Sequence, residues 1–146
     1  MAGYSGTPLP QKLGIKTGAR VGLWKAPTEF RAALGALPEG VVLDDAATKG
    51  GAPAYDVVVA FVTAAADLAS VFGRLRKRLD PAGGLWIGWP KKKNAAGIST
   101  DVTENLVRDV GLSTGLVDNK VCAIDDTWSG LRFVVRLADR PTARRR

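Results

Sequence analysis

Tyr55-Asp-Val-Val-Val-Ala-Phe-Val-Thr63 is the most strand-like run in the chain, and the predicted architecture follows from it. A continuous run of β-branched and aromatic residues is typical of a strand covered on both faces, so we expect it at the centre of a sheet. The next segment, Ala64 to Leu79, predicts an amphipathic crossover helix, because apolar residues recur at three- and four-residue spacings. These residues are Leu68, Val71, Phe72, Leu75 and Leu79.

Strand-like and helix-like segments alternate on both sides of this unit, a pattern that favours helices packed on a mostly parallel sheet. The pattern predicts strands at 20–24, 41–43 and 85–89, helices at 28–34 and 100–112, a turn at 80–84, and a closing hairpin of strands 121–124 and 131–137. We therefore predict a single three-layer Rossmann-like α/β domain whose mostly parallel sheet ends in an antiparallel β-hairpin. This layout resembles a shortened class I methyltransferase fold.

The composition is that of one soluble domain, because the chain has 146 residues, 46% of them hydrophobic and 24% charged. We expect an N-terminal arm at 1–19, the α/β domain at 20–139, and a disordered Arg-rich tail at 140–146. Two prolines and two glycines favour an extended path for residues 2–11 of the arm. No apolar run is long enough to cross a bilayer and no signal peptide is evident, so we expect a cytoplasmic protein without a membrane partner.

The absence of histidine restricts the chemistry more than any motif does. With no His and one Cys, the chain excludes Ser-His-Asp and Cys-His catalytic arrangements and thiolate clusters. Cys122 lies in an apolar stretch, which favours a buried and inert thiol. We predict no catalytic residue, no metal site and no cofactor.

The first strand leads into Arg20-Val-Gly-Leu-Trp-Lys-Ala-Pro27, where a nucleotide-binding α/β protein would place a glycine-rich loop. Glycines let the backbone approach a pyrophosphate, and Trp24, Lys25 and Pro27 do not. Asp44 and Asp45 end the second strand, where ribose-binding enzymes hold sugar hydroxyls. Without the glycine loop, this acidic pair alone is weak evidence for a nucleotide.

Ligands of open α/β sheets lie beyond the carboxyl ends of the strands. The residues expected there form what we call the anion-binding rim: Lys25, Thr63, Trp89, Lys91 and Lys92. Lysine side chains suit a phosphate or carboxylate, although a solvated basic loop explains them equally. A second candidate surface flanks the fifth strand and consists of Asp118, Lys120, Asp125, Asp126 and Trp128. Turn stabilisation is the alternative explanation for those residues. We expect Trp24, Trp86 and Trp89 in the core, although strand alternation places Trp86 and Trp89 on opposite faces and leaves the exposure of one of them open.

Three stretches together resemble a family of bacterial proteins labelled domain of unknown function 3052. They are Gly3-Tyr-Ser-Gly-Thr-Pro-Leu-Pro-Gln-Lys-Leu-Gly-Ile-Lys16, Gly83-Gly-Leu-Trp-Ile-Gly-Trp-Pro-Lys91 and Asp118-Asn-Lys-Val-Cys-Ala-Ile-Asp-Asp-Thr-Trp-Ser-Gly-Leu-Arg-Phe133. The resemblance spans residues 3 to about 139. It implies a compact Rossmann-like domain and no particular reaction.

Three functions remain open at this point. The first is a non-catalytic binding or regulatory module that takes a small anionic ligand or a protein partner. The second is a degenerate S-adenosylmethionine-dependent enzyme that holds its donor with Asp45, Thr63 and backbone groups. The third is weak nucleic-acid binding through the basic helix residues at 74–78, the lysine loop and the Arg-rich tail, which the net charge of +7 permits.

Overall fold

A computed structural model describes residues 7–46, 54–94 and 96–140 of the chain. The helices are α1 (Leu9–Leu13), α2 (Thr28–Leu34), α3 (Leu68–Leu75) and α4 (Glu104–Ser113), and the strands are β1 (Arg20–Trp24), β2 (Val42–Asp45), β3 (Tyr55–Phe61), β4 (Leu79–Pro90), β5 (Leu116–Ala123) and β6 (Trp128–Val135). Short 3₁₀ turns occupy 65–67, 76–78 and 137–139. The predicted loop at 49–53, the first residues of the predicted arm and the tail at 141–146 lie outside the described residues.

The strands form one sheet in the order β2-β1-β3-β4-β6-β5. The first four run parallel, whereas β6 lies antiparallel between β4 and β5. The prediction of a mostly parallel sheet ending in a hairpin, with β3 in its interior, is therefore confirmed. Because β5 runs in the same direction as β4, the carboxyl ends of β1 to β5 and the start of β6 share one edge of the sheet.

Helices cover both faces of the sheet, which makes the three predicted layers. On one face, α3 and α4 bury Phe72 and Val107 against Leu85 and Phe133. On the other face, α1 and α2 bury Leu13 and Phe30 in a second apolar cluster. At roughly 25 cal/mol per Å² of apolar surface, burial on two faces is the main stabilising contribution. Within the described ranges, no helix is both long enough and apolar enough to cross a membrane.

Trp86 and Trp89 lie on opposite faces, as predicted from strand alternation. Both are core residues, as expected, because their exposed fractions are 0% and 6%. Both sheet faces are covered at this position, and the indole N–H of Trp86 donates a buried hydrogen bond to the Leu13 carbonyl oxygen at 3.0 Å. A buried Tyr or Trp generally pairs its polar atom in this way.

The extended path expected for the N-terminal arm is wrong for its described part, because α1 is a short helix. Pro8 is its N-cap and Pro10 lies in its first turn, where a missing backbone N–H removes no helical hydrogen bond. Leu9 and Leu13 are four residues apart, so both point from the same side of α1 into the core. Ile15 and Ala19 after the helix are also buried. This segment is part of the domain's core.

The predicted turn at 80–84 lies within β4 instead of ending a helix. The pairing of β3 with β4 jumps from Tyr55–Leu79 to Val57–Gly84, so the four residues 80–83 stand opposite a single residue of β3. Asp80 accepts the backbone N–H of Ala82 at 2.8 Å, which keeps a turn-like bend inside the strand. Gly83 is required at this bend, because a Cβ there would lie 2.6 Å from the Asp56 carbonyl oxygen.

Other predicted boundaries shift by a few residues. The crossover helix ends at Leu75, and Leu79 belongs to β4. The last helix starts at Glu104 and not at Thr100, because Thr103 caps it by accepting the N–H of Leu106 at 3.2 Å. Strand β2 extends to Asp45, so the acidic pair is within the strand. In α2, Phe30 and Leu34 are buried, whereas Ala33 is exposed.

Candidate functional site

The carboxyl edge of the sheet contains a cleft of about 230 Å³ between the ends of β1 and β3 and the start of α3. Two residues of the anion-binding rim, Lys25 and Thr63, line this cleft together with Asp67 and Ser70. We call it the β1–β3 cleft. The structure thus brings these two predicted rim residues into one concavity at the place where open α/β sheets hold their ligands.

Lys25 leaves β1 with a φ of 55°, the left-handed region that glycine normally occupies. It is the sole non-glycine residue with positive φ in the ranges 7–46, 54–94 and 96–140. A left-handed conformation costs an L-residue roughly 1–2 kcal/mol. Lysine therefore keeps, at some energetic cost, the backbone turn that a glycine would make more easily.

A second cation, not predicted as part of the rim, lies near the same Trp24 ring as Lys25. The guanidinium of Arg74 on α3 lies 5.0 Å from the centre of the Trp24 ring, and the Lys25 ammonium lies 5.8 Å from it. Such distances permit cation–π attraction, so the largely buried indole positions both charges. Neither cation forms an ion pair within the described part of the chain. The available signal was the position of Arg74 on the first helix after the central strand.

A larger cleft of about 750 Å³ follows β4, and we call it the β4–α4 cleft. Trp89 and Lys92 of the predicted rim line it, together with Lys93 and Asp101. Its loop is held by Asn94, whose side-chain amide donates to the carbonyl oxygens of Lys91 and Ile98, both at 2.9 Å, and accepts the Ile98 N–H.

The predicted rim is therefore divided between two concavities. The Thr100 hydroxyl donates to the Thr63 carbonyl oxygen at 2.6 Å, and Asp101 accepts the Ala65 N–H at 2.7 Å. These bonds join the wall of the β1–β3 cleft to that of the β4–α4 cleft. Lys91 lines neither cleft. Its backbone N–H donates to the Thr127 carbonyl oxygen at 2.8 Å, which ties the loop to the β5–β6 turn.

The second candidate surface is spread along β5 and beyond its end. Asp118 lies inside β5, not in a loop before it as predicted, and forms an ion pair with Arg108 of α4 at 3.0 Å. This pair and a hydrogen bond to Glu104 raise the pKa of Arg108, with the Glu104 bond the larger cause. Lys120 is exposed on the same strand.

The other members of that surface surround the β5–β6 turn. One carboxylate oxygen of Asp125 accepts the backbone N–H groups of Thr127 and Trp128, both at 2.8 Å, which is a turn-stabilising arrangement. Asp126 is exposed, whereas Trp128 is buried and meets the Phe61 ring edge-on at 5.0 Å. These contacts give Asp125 and Trp128 structural roles, and they lie at the opposite end of β5 from Asp118.

The two acids of the predicted ribose site do not line the β1–β3 cleft. Asp44 forms an ion pair with Arg20 at 2.7 Å, and Asp45 pairs in register with Leu23. Across the described ranges, no three His, Cys, Asp or Glu side chains are grouped as a metal site would require. Cys122 is half-buried, and burial raises the pKa of its thiol.

The three stretches that carry the family resemblance contact one another. Besides the Trp86–Leu13 hydrogen bond, the Lys12 ammonium donates to the Ala123 carbonyl oxygen at 2.9 Å, and Lys91 bonds to Thr127. The stretch at 3–16 thereby contacts those at 83–91 and 118–133, and the latter two also contact each other. Segments distant in sequence form one structural unit beside the carboxyl edge.

Comparisons with known protein families and with curated protein sequences found no match. Solved structures do match. A SAM-dependent methyltransferase from Aquifex aeolicus is 13% identical with a TM-score of 0.62, over 86% of this chain and 87% of that one. A possible exported protein from Bordetella parapertussis is 12% identical with a TM-score of 0.62, over 88% and 66%.

The magnesium protoporphyrin IX methyltransferase of Synechocystis PCC 6803, with bound SAH, is 10% identical with a TM-score of 0.57, over 88% of this chain and 78% of that one. This chain spans just under two thirds of the Bordetella protein. At such identities the likeness concerns the fold alone. The chain has a methyltransferase-like α/β fold.

Proposed function

We propose that this protein is a non-catalytic Rossmann-like binding or regulatory module that holds a small anion in the β1–β3 cleft. The observation that carries the proposal is the pair of cations, Lys25 and Arg74, on the Trp24 ring at the carboxyl end of β1. Two positive charges lie 5–6 Å from one ring, without an ion-pair partner among the described residues, and they outnumber the single Asp67 carboxylate that lines the cleft. The net positive potential favours an anion.

The strained backbone of Lys25 supports a binding role. Residues in sparsely populated φ/ψ regions are concentrated at ligand sites, where function offsets the cost. A glycine at position 25 would make the same turn without strain. Lysine in its place adds a charge at the mouth of the cleft, which is the property that an anion site needs.

The size and lining of the cleft argue against a methyl donor as its ligand. Drug-sized ligands occupy pockets of roughly 300–1,000 Å³, and the β1–β3 cleft has about 230 Å³. Trp24 and Lys25 stand where a nucleotide-binding loop would present glycine backbone to its ligand. An inorganic phosphate, a sulfate or a compact carboxylate fits this volume better than a nucleoside.

The second candidate is a degenerate S-adenosylmethionine-dependent enzyme, and the fold is the observation that favours it. The donor would have to span both clefts, across the hydrogen-bonded wall at residues 63–65 and 100–101. Asp45 would have to reach it from β2. Weak nucleic-acid binding is the third candidate, through Arg74, Arg76, Lys77, Arg78, the lysine loop and the C-terminal arginines.

Isothermal titration of the purified protein with phosphate, sulfate, citrate and S-adenosylmethionine at about 50 mM NaCl tests the proposal. We expect saturable binding of at least one simple anion, weakened about tenfold by Lys25→Ala or Arg74→Gln, which corresponds to about 1.4 kcal/mol. Arg76→Gln is the matched control, because Arg76 is an exposed cation on the adjoining 3₁₀ turn.

The outcomes separate the three candidates. Donor binding that Lys25→Ala abolishes would overturn the non-catalytic proposal in favour of the enzyme. Binding of single-stranded DNA that falls steeply with salt and is unchanged in Lys25→Ala would favour the nucleic-acid hypothesis. Anion binding equal in all three variants would remove the β1–β3 cleft as the site.

We also infer membership of the family labelled domain of unknown function 3052. The mutual contacts of the three resembling stretches support this inference, because residues that pack together are constrained together. Sequences of that family, once aligned to this chain, should vary in a correlated manner at positions equivalent to Leu13 and Trp86.

A further inference from the structure

A separate cavity of about 460 Å³ opens at the amino edge of the sheet, opposite the edge that carries the two clefts. The segment between α1 and β1 forms one wall, and the starts of β3 and β4 and the middle of β6 form the other. Charged residues from different elements meet here: Lys16, Asp56 and Arg132. We call it the amino-edge cavity.

Arg132 is the unusual residue of this cavity. It is half-buried, its guanidinium makes a 3.3 Å hydrogen bond to the neutral Asn119 side chain, and it forms no ion pair within the described ranges. Burial lowers the pKa of Arg132, and the positive charge of Arg140 lowers it further. A partly desolvated charge without a counter-ion is unfavourable unless something compensates it, and a bound anion would do so.

Gly84 positions this guanidinium. A Cβ built at Gly84 would overlap Nε, Nη2 and Cζ of Arg132, so the guanidinium lies directly against the backbone of β4. Arginine presents a planar fork of donors that matches the oxygens of a phosphate or carboxylate. The close approach therefore fixes the fork at the wall of the cavity.

The facing wall is Gly14-Ile-Lys-Thr-Gly18, a loop with two glycines in the left-handed region, at φ of 82° and 75°. Lys16 and Thr17 line the cavity and are exposed, so they add a cation and a hydroxyl donor opposite Arg132. The Asp56 carboxylate stands in the same cavity and accepts the backbone N–H of Arg20 at 2.9 Å. A ligand here meets two cations and one fixed anion.

We propose that the amino-edge cavity binds a small phosphate monoester that carries hydroxyl groups, with its phosphate on Lys16, Thr17 and Arg132 and a hydroxyl on Asp56. The pairing follows from charge, because the cations favour the phosphate while the carboxylate repels it and accepts a hydroxyl hydrogen bond. The volume suits a compact molecule of this class. This site is independent of the anion proposed for the β1–β3 cleft.

Titration with glycerol 3-phosphate and with inorganic phosphate, followed by ¹⁵N-¹H spectra of the whole chain, tests the proposal. We expect saturable shifts of the amides of Gly14, Gly18 and Gly84. Glycerol 3-phosphate should bind several-fold more tightly than inorganic phosphate, because only the ester offers hydroxyls to Asp56. Equal affinity for the two probes would overturn the assignment of Asp56.

Variants separate this site from the β1–β3 cleft. Because Lys16 is exposed, the Lys16→Gln variant should fold normally. Its affinity for glycerol 3-phosphate should be reduced about tenfold. Arg132→Gln should reduce it further, and Gly84→Ala should weaken binding by displacing a guanidinium that is still present. Arg31→Gln, which removes an exposed cation of α2, is the control and should bind normally. Shifts confined to residues around Lys25, or full affinity in both Lys16→Gln and Arg132→Gln, would overturn the proposal.

Discussion

The backbone of Lys25 yields a prediction that compares two substitutions at one position. Lys25→Gly removes the left-handed strain of roughly 1–2 kcal/mol but adds unfolded-state entropy worth about 0.5–1 kcal/mol. Lys25→Ala keeps the strain. Both variants lose the same cation–π contact with Trp24. The glycine variant should therefore be more stable than the alanine variant by about 0.5–1 kcal/mol.

Thermal unfolding of both variants under one buffer and scan rate measures this difference. For a chain of this size we expect a gap of about 2–4 °C in Tm. The same pair of proteins should bind the anion of the β1–β3 cleft equally poorly, because both lack the ammonium. If the alanine variant unfolded at the same temperature as the glycine variant, or above it, the φ of position 25 would not carry strain and our argument from it would fail.

Further predictions concern the core and the thiol. Gly111→Ala should destabilise the domain by about 2–3 kcal/mol, measured by urea unfolding, because its Cβ would overlap the ring of the buried Phe133. Trp86→Phe should cost about 2–3 kcal/mol in the same assay, since it removes a buried ring and leaves the Leu13 carbonyl without its indole donor; a loss below 1 kcal/mol would contradict the importance of that bond. Burial raises the pKa of Cys122, so the thiol stays protonated to higher pH and should react with a thiol reagent at pH 8 more slowly in the folded protein than in urea; an equal rate in both would contradict the effect of burial.

Much of the architecture was predictable because local pattern and tertiary role agree. The bounds predicted for β1 match those observed, and the apolar run at 55–63 is an interior strand as expected. In these two strands the local sequence pattern and the tertiary contacts favour the same structure. Because β3 is buried on both faces, its residues from Val57 onward form a continuous apolar run.

The misplaced elements are those whose stability comes from distant residues. Helix α1 contains Pro10, and proline in a sequence usually predicts that a helix ends. The helix forms because Leu9 and Leu13 pack against the sheet. The sequence at 80–83 predicts a loop, yet the segment is a bend within β4, because Gly83 lets it lie against the backbone of β3. The contact of α1 with the sheet and the contact of Gly83 with β3 both join residues far apart in sequence, so local sequence patterns do not predict them.

The candidate site was predicted in part. The carboxyl-edge rule brought Lys25 and Thr63 together correctly. The same rule does not predict that Trp89 and Lys92 lie in a different cleft. The wall between the two clefts depends on hydrogen bonds between residues 36 and 37 positions apart in sequence. Arg74 was missed since an amphipathic pattern assigns a helix cation to solvent, and its contact with Trp24 depends on how α3 lies across the sheet.

The hydrogen bond between Leu13 and Trp86 joins residues 73 positions apart, and this separation has a consequence for synthesis. During translation, α1 leaves the ribosome long before β4 exists, so its apolar side chains have no sheet to cover. Helix α1 is therefore made well before the strand that it contacts, and it docks late. Leu9 and Leu13 stay uncovered for that interval, which makes them an apolar target for a chaperone that shields the nascent chain.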